Sequence, residues 1–538
     1  MAGRYPAEVV SGIGYRRVGT HSGICADIGM PAVMSSFEQG SGPSASTIVG
    51  DVAVCEGPCP APTRGALSLQ ALTHQSAVNM AGGVVSQGLK FFVLIYVARQ
   101  FSVPEFGLFS FAWAVYAYIL VVSNFGLPMF GSRAVAQSGS VSRELATEIC
   151  CSRACLALLA TLLALGTLAL VPGVSRMELQ LVGILGITNV AQAGLFDWAF
   201  QGLHHQEISA ILNVIWQGSW LALTIVSVRL GLGLRGVAMA LFSSALIAST
   251  VSYFWLKQAA SFQRTKNGTA RLFHRSWEML KSAAPLGSGA LLVTVVIWSD
   301  VVLVRALRGE EAVGLYAAGN RAALALAMLA STYVQGAFPL LSRMSTEGAA
   351  QLSRYFQRCY QDMALCFLPG ALWAIFYAPE IVVTFFKRTE YLSAVPVFRI
   401  FQVVFLLTAL WNLYGMGAII AVHRDRDYLR VLALTASVFF PLCYVFTMLD
   451  GVRGASLAVL LTQLFCLVVF MAKNRGFVHV NHRSALLLPL LVGIGVAAGG
   501  KVLRLHLLPS TVFLILAYVG MIVVRFRGPF LTRRVFQP

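Results

Sequence analysis

Charge is what this sequence has least of. Only 12% of its 538 residues are Asp, Glu, Lys or Arg, while 57% are hydrophobic; an ordinary soluble domain carries about 25% charged residues. That deficit excludes a water-soluble globular chain. Acidic residues are the scarcer sign, 22 against 40 Lys and Arg, leaving a formal charge of +18. The basic residues are spread between apolar blocks rather than gathered into a face that would grip nucleic acid, so no nucleic-acid partner is expected and membrane topology accounts for the charge. The blocks lack strict polar/apolar alternation, which excludes a β-barrel. A secretory signal is missing as well: no charged n-region, short apolar core and small-residue cleavage site follow in order, and Arg16–Arg17 has no apolar stretch behind it.

Long polar loops are also missing. The longest internal one is the basic 257–284 segment, so no soluble catalytic domain fits between the apolar blocks. What is present is a series of those blocks, and about 20 apolar residues suffice to span hydrocarbon as a helix. Fourteen stretches qualify, near 77–98, 107–130, 149–171, 178–201, 208–228, 236–256, 285–304, 313–338, 358–377, 397–421, 428–449, 454–472, 484–500 and 508–524. The expected fold is an all-α integral membrane protein. With the N-terminus placed inside, Lys and Arg in the inner loops outnumber those in the outer loops about two to one, which predicts both termini in the cytoplasm. Residues 1–70, rich in Gly, Ser, Pro and Ala, read as a disordered extension. That tract reads equally as an upstream addition, with Met80 or an earlier Met nearer the functional start.

An internal repeat organises the rest. "ARQFSVPEFGLFSFA" at 98–112 and "VRALRGEEAVGLYAAG" at 304–319 share Arg, then Glu, then Gly-Leu-aromatic, and a Ser-Arg pair recurs at Arg133 and Arg343. The offsets are 206 for Arg99 to Arg305, 207 for Gly107 to Gly314 and 210 for Arg133 to Arg343. A six-helix unit is thereby duplicated, and an even number of crossings gives the halves one orientation about an axis along the membrane normal. The predicted organisation is an N-terminal lobe at 75–256, the cytoplasmic linker 257–284, a C-terminal lobe at 285–473, two added helices at 484–524 and a cytoplasmic tail at 525–538.

These stretches, with "WSDVVLVRAL" at 298–307, "FPLLSRM" at 338–344, "APEIVVTFF" at 378–386 and "FRIFQ" at 398–402, resemble the multidrug/oligosaccharidyl-lipid/polysaccharide exporter superfamily. Within it they resemble the polysaccharide-biosynthesis flippases; "DWAFQGL" at 197–203 looks like the Trp-x-Phe-Gln-Gly signature of the O-antigen-type branch. The resemblance covers about 75 to 500. It implies a transporter of the bacterial inner membrane that moves an undecaprenyl-pyrophosphate-linked oligosaccharide by alternating access, with membrane lipids around it and polysaccharide polymerase or assembly proteins as partners. Two other functions stay open. A cation-coupled multidrug antiporter would share the fold and depend on intramembrane carboxylates; a membrane-bound polymerase or ligase would need a sizeable extracytoplasmic loop.

Several strings imitate soluble-enzyme motifs. "GLGLRG" at 231–236 fits a dinucleotide fingerprint but joins two apolar helices without a βαβ unit. "HRDRD" at 423–427 contains Asp-x-Asp in a short loop, where solvated charges are the better reading. The 10 cysteines include a Cys55/Cys59 pair with no following His-Cys cluster, so no metal site and no cofactor are expected.

Among the charges inside apolar stretches, four stand out as candidate site residues: Lys90, Asp197, Asp300 and Arg321. A charge at the bilayer centre costs about 2.5–3.5 kcal/mol on insertion scales, so each needs a partner or water. They read either as structural ion pairs or as the lining of a polar cavity. The offset of 206 carries Lys90 to Val296, one helical turn from Asp300. Lys90 and Asp300 are therefore expected to face one central cleft, with Lys90 and Arg321 as head-group ligands and Asp300 as their resting partner.

Overall fold

The computed structural model describes residues 69–259, 272–503 and 506–530, and among them helices are the only regular structure. The helices are α1 (Leu69–Gln100), α2 (Val103–Asn124), α3 (Leu127–Ser138), α4 (Arg143–Leu170), α5 (Arg176–Gln192), α6 (Asp197–Gly202), α7 (Gln206–Arg229) and α8 (Gly233–Ala259). They continue as α9 (Leu272–Thr346), α10 (Ala349–Phe376), α11 (Ala378–Phe386), α12 (Val395–Tyr414), α13 (Asp425–Asn474), α14 (His482–Val502) and α15 (Leu507–Phe530). Among the described residues ten helical segments are long and apolar enough to cross a membrane. The chain is a multi-pass membrane protein, and its surface agrees: on α4, Leu163 is 70% and Leu170 85% exposed, an arrangement that suits lipid rather than water.

Two of the helices are bent doubles. Gly309 (φ 84°) interrupts α9, and Asp450 with Gly451 (φ 55°) interrupts α13. At these points the chain reverses into the next crossing without a loop. Each of the two helices therefore holds two of the stretches recognised in the sequence, one on either side of its bend. Others are cut where the apolar pattern runs on: 107–130 turns at Phe125 (φ 32°) and Gly126 (φ 78°), between α2 and α3, and 178–201 breaks between α5 and α6.

The segment expected as a linker at 257–284 is helical at both ends, because α8 runs to Ala259 and α9 begins at Leu272. Its α9 part is anchored by apolar packing. Met279 and Ala283 are buried in a cluster with Leu127, Val135, Ile149 and Trp198. Residues 260–271 between them, the extension 1–68 and the last residues 531–538 lie outside the described residues.

Helix starts are set by local chemistry. Ser102 caps α2 and receives the Glu105 side chain on its own amide; Ser175 and Glu178 do the same for α5. The first group of helices packs through α1 on α7, α7 on α8, α8 on α5 and α5 on α4, and the second through α9, α12 and α13, with α10 against α14. The groups meet where α2 lies along α9. At the Arg99/Arg305 end that contact is reciprocal. A methyl on Gly107 would overlap the Glu310 carbonyl, and one on Gly314 would overlap the Val103 carbonyl. Both pairs are 207 apart, Val103 to Glu310 and Gly107 to Gly314. Residue i meeting j while j's counterpart meets i's is the signature of a twofold relation.

Candidate substrate-binding site

Lys90 lies on α1, and its ammonium sits 5.2 Å from the ring centre of Trp113 on α2. That indole is held from behind, stacked on the fully buried Trp220 of α7 at 5.1 Å and 9°. The first group of helices therefore offers a cation on a rigid aromatic plate. Among the described residues Lys90 has no carboxylate partner within ion-pairing distance.

Arg321 repeats the arrangement from the other side. It lies on the second segment of α9, is 7% exposed, and places its guanidinium 5.0 Å from the ring centre of Trp298 on the first segment. Its Nη2 has no hydrogen-bond partner among the described residues. Arg321 shares a small hollow with Phe91, the residue that follows Lys90, so the two cations stand on neighbouring faces. Two neighbouring cations without a bridging carboxylate among the described residues have the charge that suits a compact anion.

Asp300 is 4% exposed and accepts hydrogen bonds from Tyr316 Oη at 2.6 Å and from the Val301 amide at 2.7 Å. It feels the Arg321 charge, but its short contacts are to neutral donors. Asp300, Asn320, Arg321 and Trp298 line a cavity of about 380 Å³ between α9, α12 and α13, whose walls are otherwise mostly apolar and aromatic. Arg321 also borders a small hollow with Phe91 of α1 and Phe385 of α11, so it stands at the boundary between this cavity and the Lys90 side. Lys90 itself does not line the cavity.

Asp197 is elsewhere. It begins α6, within electrostatic reach of Arg153 of α4. Arg153 is 4% exposed; its Nε donates to Asn124 Oδ1 at 3.1 Å and its Nη1 to the carbonyls of Leu195 at 3.2 Å and Ala193 at 3.5 Å. This group ties the break between α5 and α6 to α2 and α4. Of the four candidate charges, the structure brings Lys90, Arg321 and Asp300 into one neighbourhood and leaves Asp197 outside it.

The residues missed from the sequence are the plates and the partners: Trp113, Trp298 and Tyr316. Trp298 stands two residues before Asp300, and that proximity was the only available signal. "GLGLRG" is a turn between α7 and α8 with Gly231 and Gly233 at positive φ, and Asp427 of "HRDRD" is taken by Arg424 at 2.5 Å, with Arg430 and Lys473 near. Among the described residues no cluster of His, Cys, Asp and Glu could hold a metal.

The sequence profile of the family described as "Polysaccharide biosynthesis protein" matches residues 72–345. Among solved structures, the lipid II flippase MurJ in an inward closed conformation superimposes with a TM-score of 0.68 at 11% identity, covering 84% of this chain and 100% of that one. An inward-facing multidrug resistance MATE family transporter of the MOP superfamily gives 0.55 at 14%, covering 75% and 98%. A MATE in complex with MaL6 gives 0.51 at 16%, covering 76% and 96%. At such identities the likeness is one of fold. No curated protein matches the sequence.

Proposed function

The chain belongs to the family of polysaccharide biosynthesis proteins, and we propose that it is a flippase for a polyprenyl-pyrophosphate-linked oligosaccharide, such as an O-antigen or exopolysaccharide repeat unit. It turns the preassembled lipid from the cytoplasmic to the outer leaflet of a bacterial inner membrane by alternating access, without covalent change to the substrate. The N- and C-termini face the cytoplasm, which puts Arg99 and Arg305 at the outer end.

The observation that carries this reading is the pair Lys90 and Arg321, two close cations on tryptophan plates, one of them with a buried and unpartnered Nη2. A diphosphate cannot enter hydrocarbon with its charge bare, whereas Arg and Lys can take it up through charge-assisted hydrogen bonds. A cationic drug would meet net repulsion here. Asp300, the carboxylate such a drug would need, has its oxygens engaged by Tyr316 and Val301.

The test is the leaflet distribution of undecaprenyl-linked oligosaccharide in cells relying on Lys90→Ala or Arg321→Ala protein. Both variants should accumulate it on the cytoplasmic side while protein abundance stays near normal. Lys90→Arg should retain partial transport, since it keeps the charge and changes its shape. Wild-type transport in both alanine variants would remove the cationic site from the mechanism. Deletion that leaves polymer intact and raises drug sensitivity would favour the antiporter.

A further inference from the structure

Arg99 and Arg305 stand at equivalent positions of the repeat, 206 apart, and each reaches across to the opposite group of helices. Arg305, just before the bend of α9, donates from Nε to Glu178 Oε1 at 2.6 Å, and from Nη2 to Glu178 Oε2 at 2.9 Å and the Gly173 carbonyl at 3.2 Å. Gly173 lies in the turn from α4 to α5, and Glu178 in the first turn of α5. Arg99, at the end of α1, donates from Nε to the Phe385 carbonyl at 2.5 Å and from Nη2 to the Thr384 carbonyl at 2.9 Å. Those are the last carbonyls of α11, the counterpart connection after α10. Between the two arginines lies the reciprocal crossing of Gly107 and Gly314.

We infer that Arg99 and Arg305 are a symmetry-related pair of gate residues that hold the outer end of the transport path shut, and that they release together when that end opens. Opening the cleft outward must separate α2 from the second segment of α9 at the glycine crossing. Every contact just described spans that separation, so none can survive it. Because the crossing sits between the two latches, breaking one leaves the other and the glycine contact to keep the end closed. The protein accordingly opens when both are lost. The arginines bind no substrate in this scheme; they set which side of the membrane the site faces. The role in transport rests on the alternating-access reading, while the state of the gate does not.

The experiment places spin labels at Val171→Cys and Leu392→Cys, both on exposed residues flanking the latches, in a background with the native cysteines replaced and the protein in lipid nanodiscs. Dipolar distances are then measured with and without latch substitutions. The Arg99→Ala/Arg305→Ala double variant should gain a longer-distance population, and each single variant less of it. Arg308→Ala is the control. Arg308 sits at the same end but donates to the Thr447 and Met448 carbonyls within its own group of helices, so its loss should leave the distance unchanged. Arg305→Lys keeps the charge and covers the case in which the double variant fails to fold; it should lengthen the distance less than Arg305→Ala. A folded double variant with the wild-type distribution would overturn the inference, and so would lengthening of equal size in Arg308→Ala. If the distance lengthens while oligosaccharide transport stays normal, the gate stands and the alternating-access reading fails.

Discussion

Two buried arginines in apolar helices, Arg153 and Arg321, look alike by burial and differ in their partners. Arg153 is 4% and Arg321 7% exposed. Arg153 finds an amide oxygen and two carbonyls, with Asp197 beside it. Arg321 finds the face of Trp298 and leaves Nη2 unpartnered. A buried charge whose donors are satisfied is a staple; one that keeps a donor in reserve can take a ligand, as proposed for Arg321. Burial selects both, and only the count of satisfied donors separates them.

The largest effect that could break this comparison is Arg153→Ala. It strands two carbonyls, Asn124 and Asp197 in the interior, and removing one partner of such a group costs roughly 3–5 kcal/mol. Thermal melting in detergent and membrane abundance should both fall sharply, whereas Arg321→Ala should leave both nearly unchanged. Similar losses in the two variants would erase the distinction. Next is Gly107→Ala, whose methyl must displace the Glu310 backbone; overpacking of this kind costs about 1–3 kcal/mol, again read by melting. Asp197→Asn is smaller. It keeps the shape and loses the charge beside Arg153, so a fall of about 1 kcal/mol is expected with transport retained; loss of transport at normal abundance would return Asp197 to the site. The smallest is Trp298→Leu, which removes the plate under Arg321. A cation–π contact of about 1 kcal/mol corresponds to a roughly five-fold weaker binding of the pyrophosphate lipid, measured on purified protein.

The fold was legible because helix-length apolar stretches and the repeated Arg, Glu and Gly-Leu-aromatic pattern are local signals. Gly107 and Gly314, noticed as matched letters, proved to be the contact where the two halves meet. The breaks were less legible. "FGLP" at 125–128 carries a Gly and a Pro that mark the start of α3, yet hydropathy alone runs through it. The site was half legible. A charge within an apolar stretch identifies Lys90, Asp300, Arg321 and Asp197 as costly, but their partners come from other helices. Tyr316 reaches Asp300 from beyond the Gly309 bend, and Arg153 reaches the α5–α6 break from the helix before it. No spacing rule within one helix announces either contact.

If Lys90 and Arg321, neither held in an ion pair, carry the substrate as proposed, the transport cycle gains an electrical asymmetry. On the proposed reading, a site of two positive charges carrying a diphosphate of two negative charges crosses the membrane nearly neutral, and the membrane voltage has little hold on that step. The emptied site, still bearing its two cations, then turns back toward an interior that is electrically negative. Each elementary charge crossing the full field is worth about 2.3 kcal/mol per 100 mV, so the voltage acts on the return rather than on the delivery. A cell that loses its membrane potential would slow the reset of the empty protein first, leaving loaded protein able to discharge its lipid once and then stall facing outward.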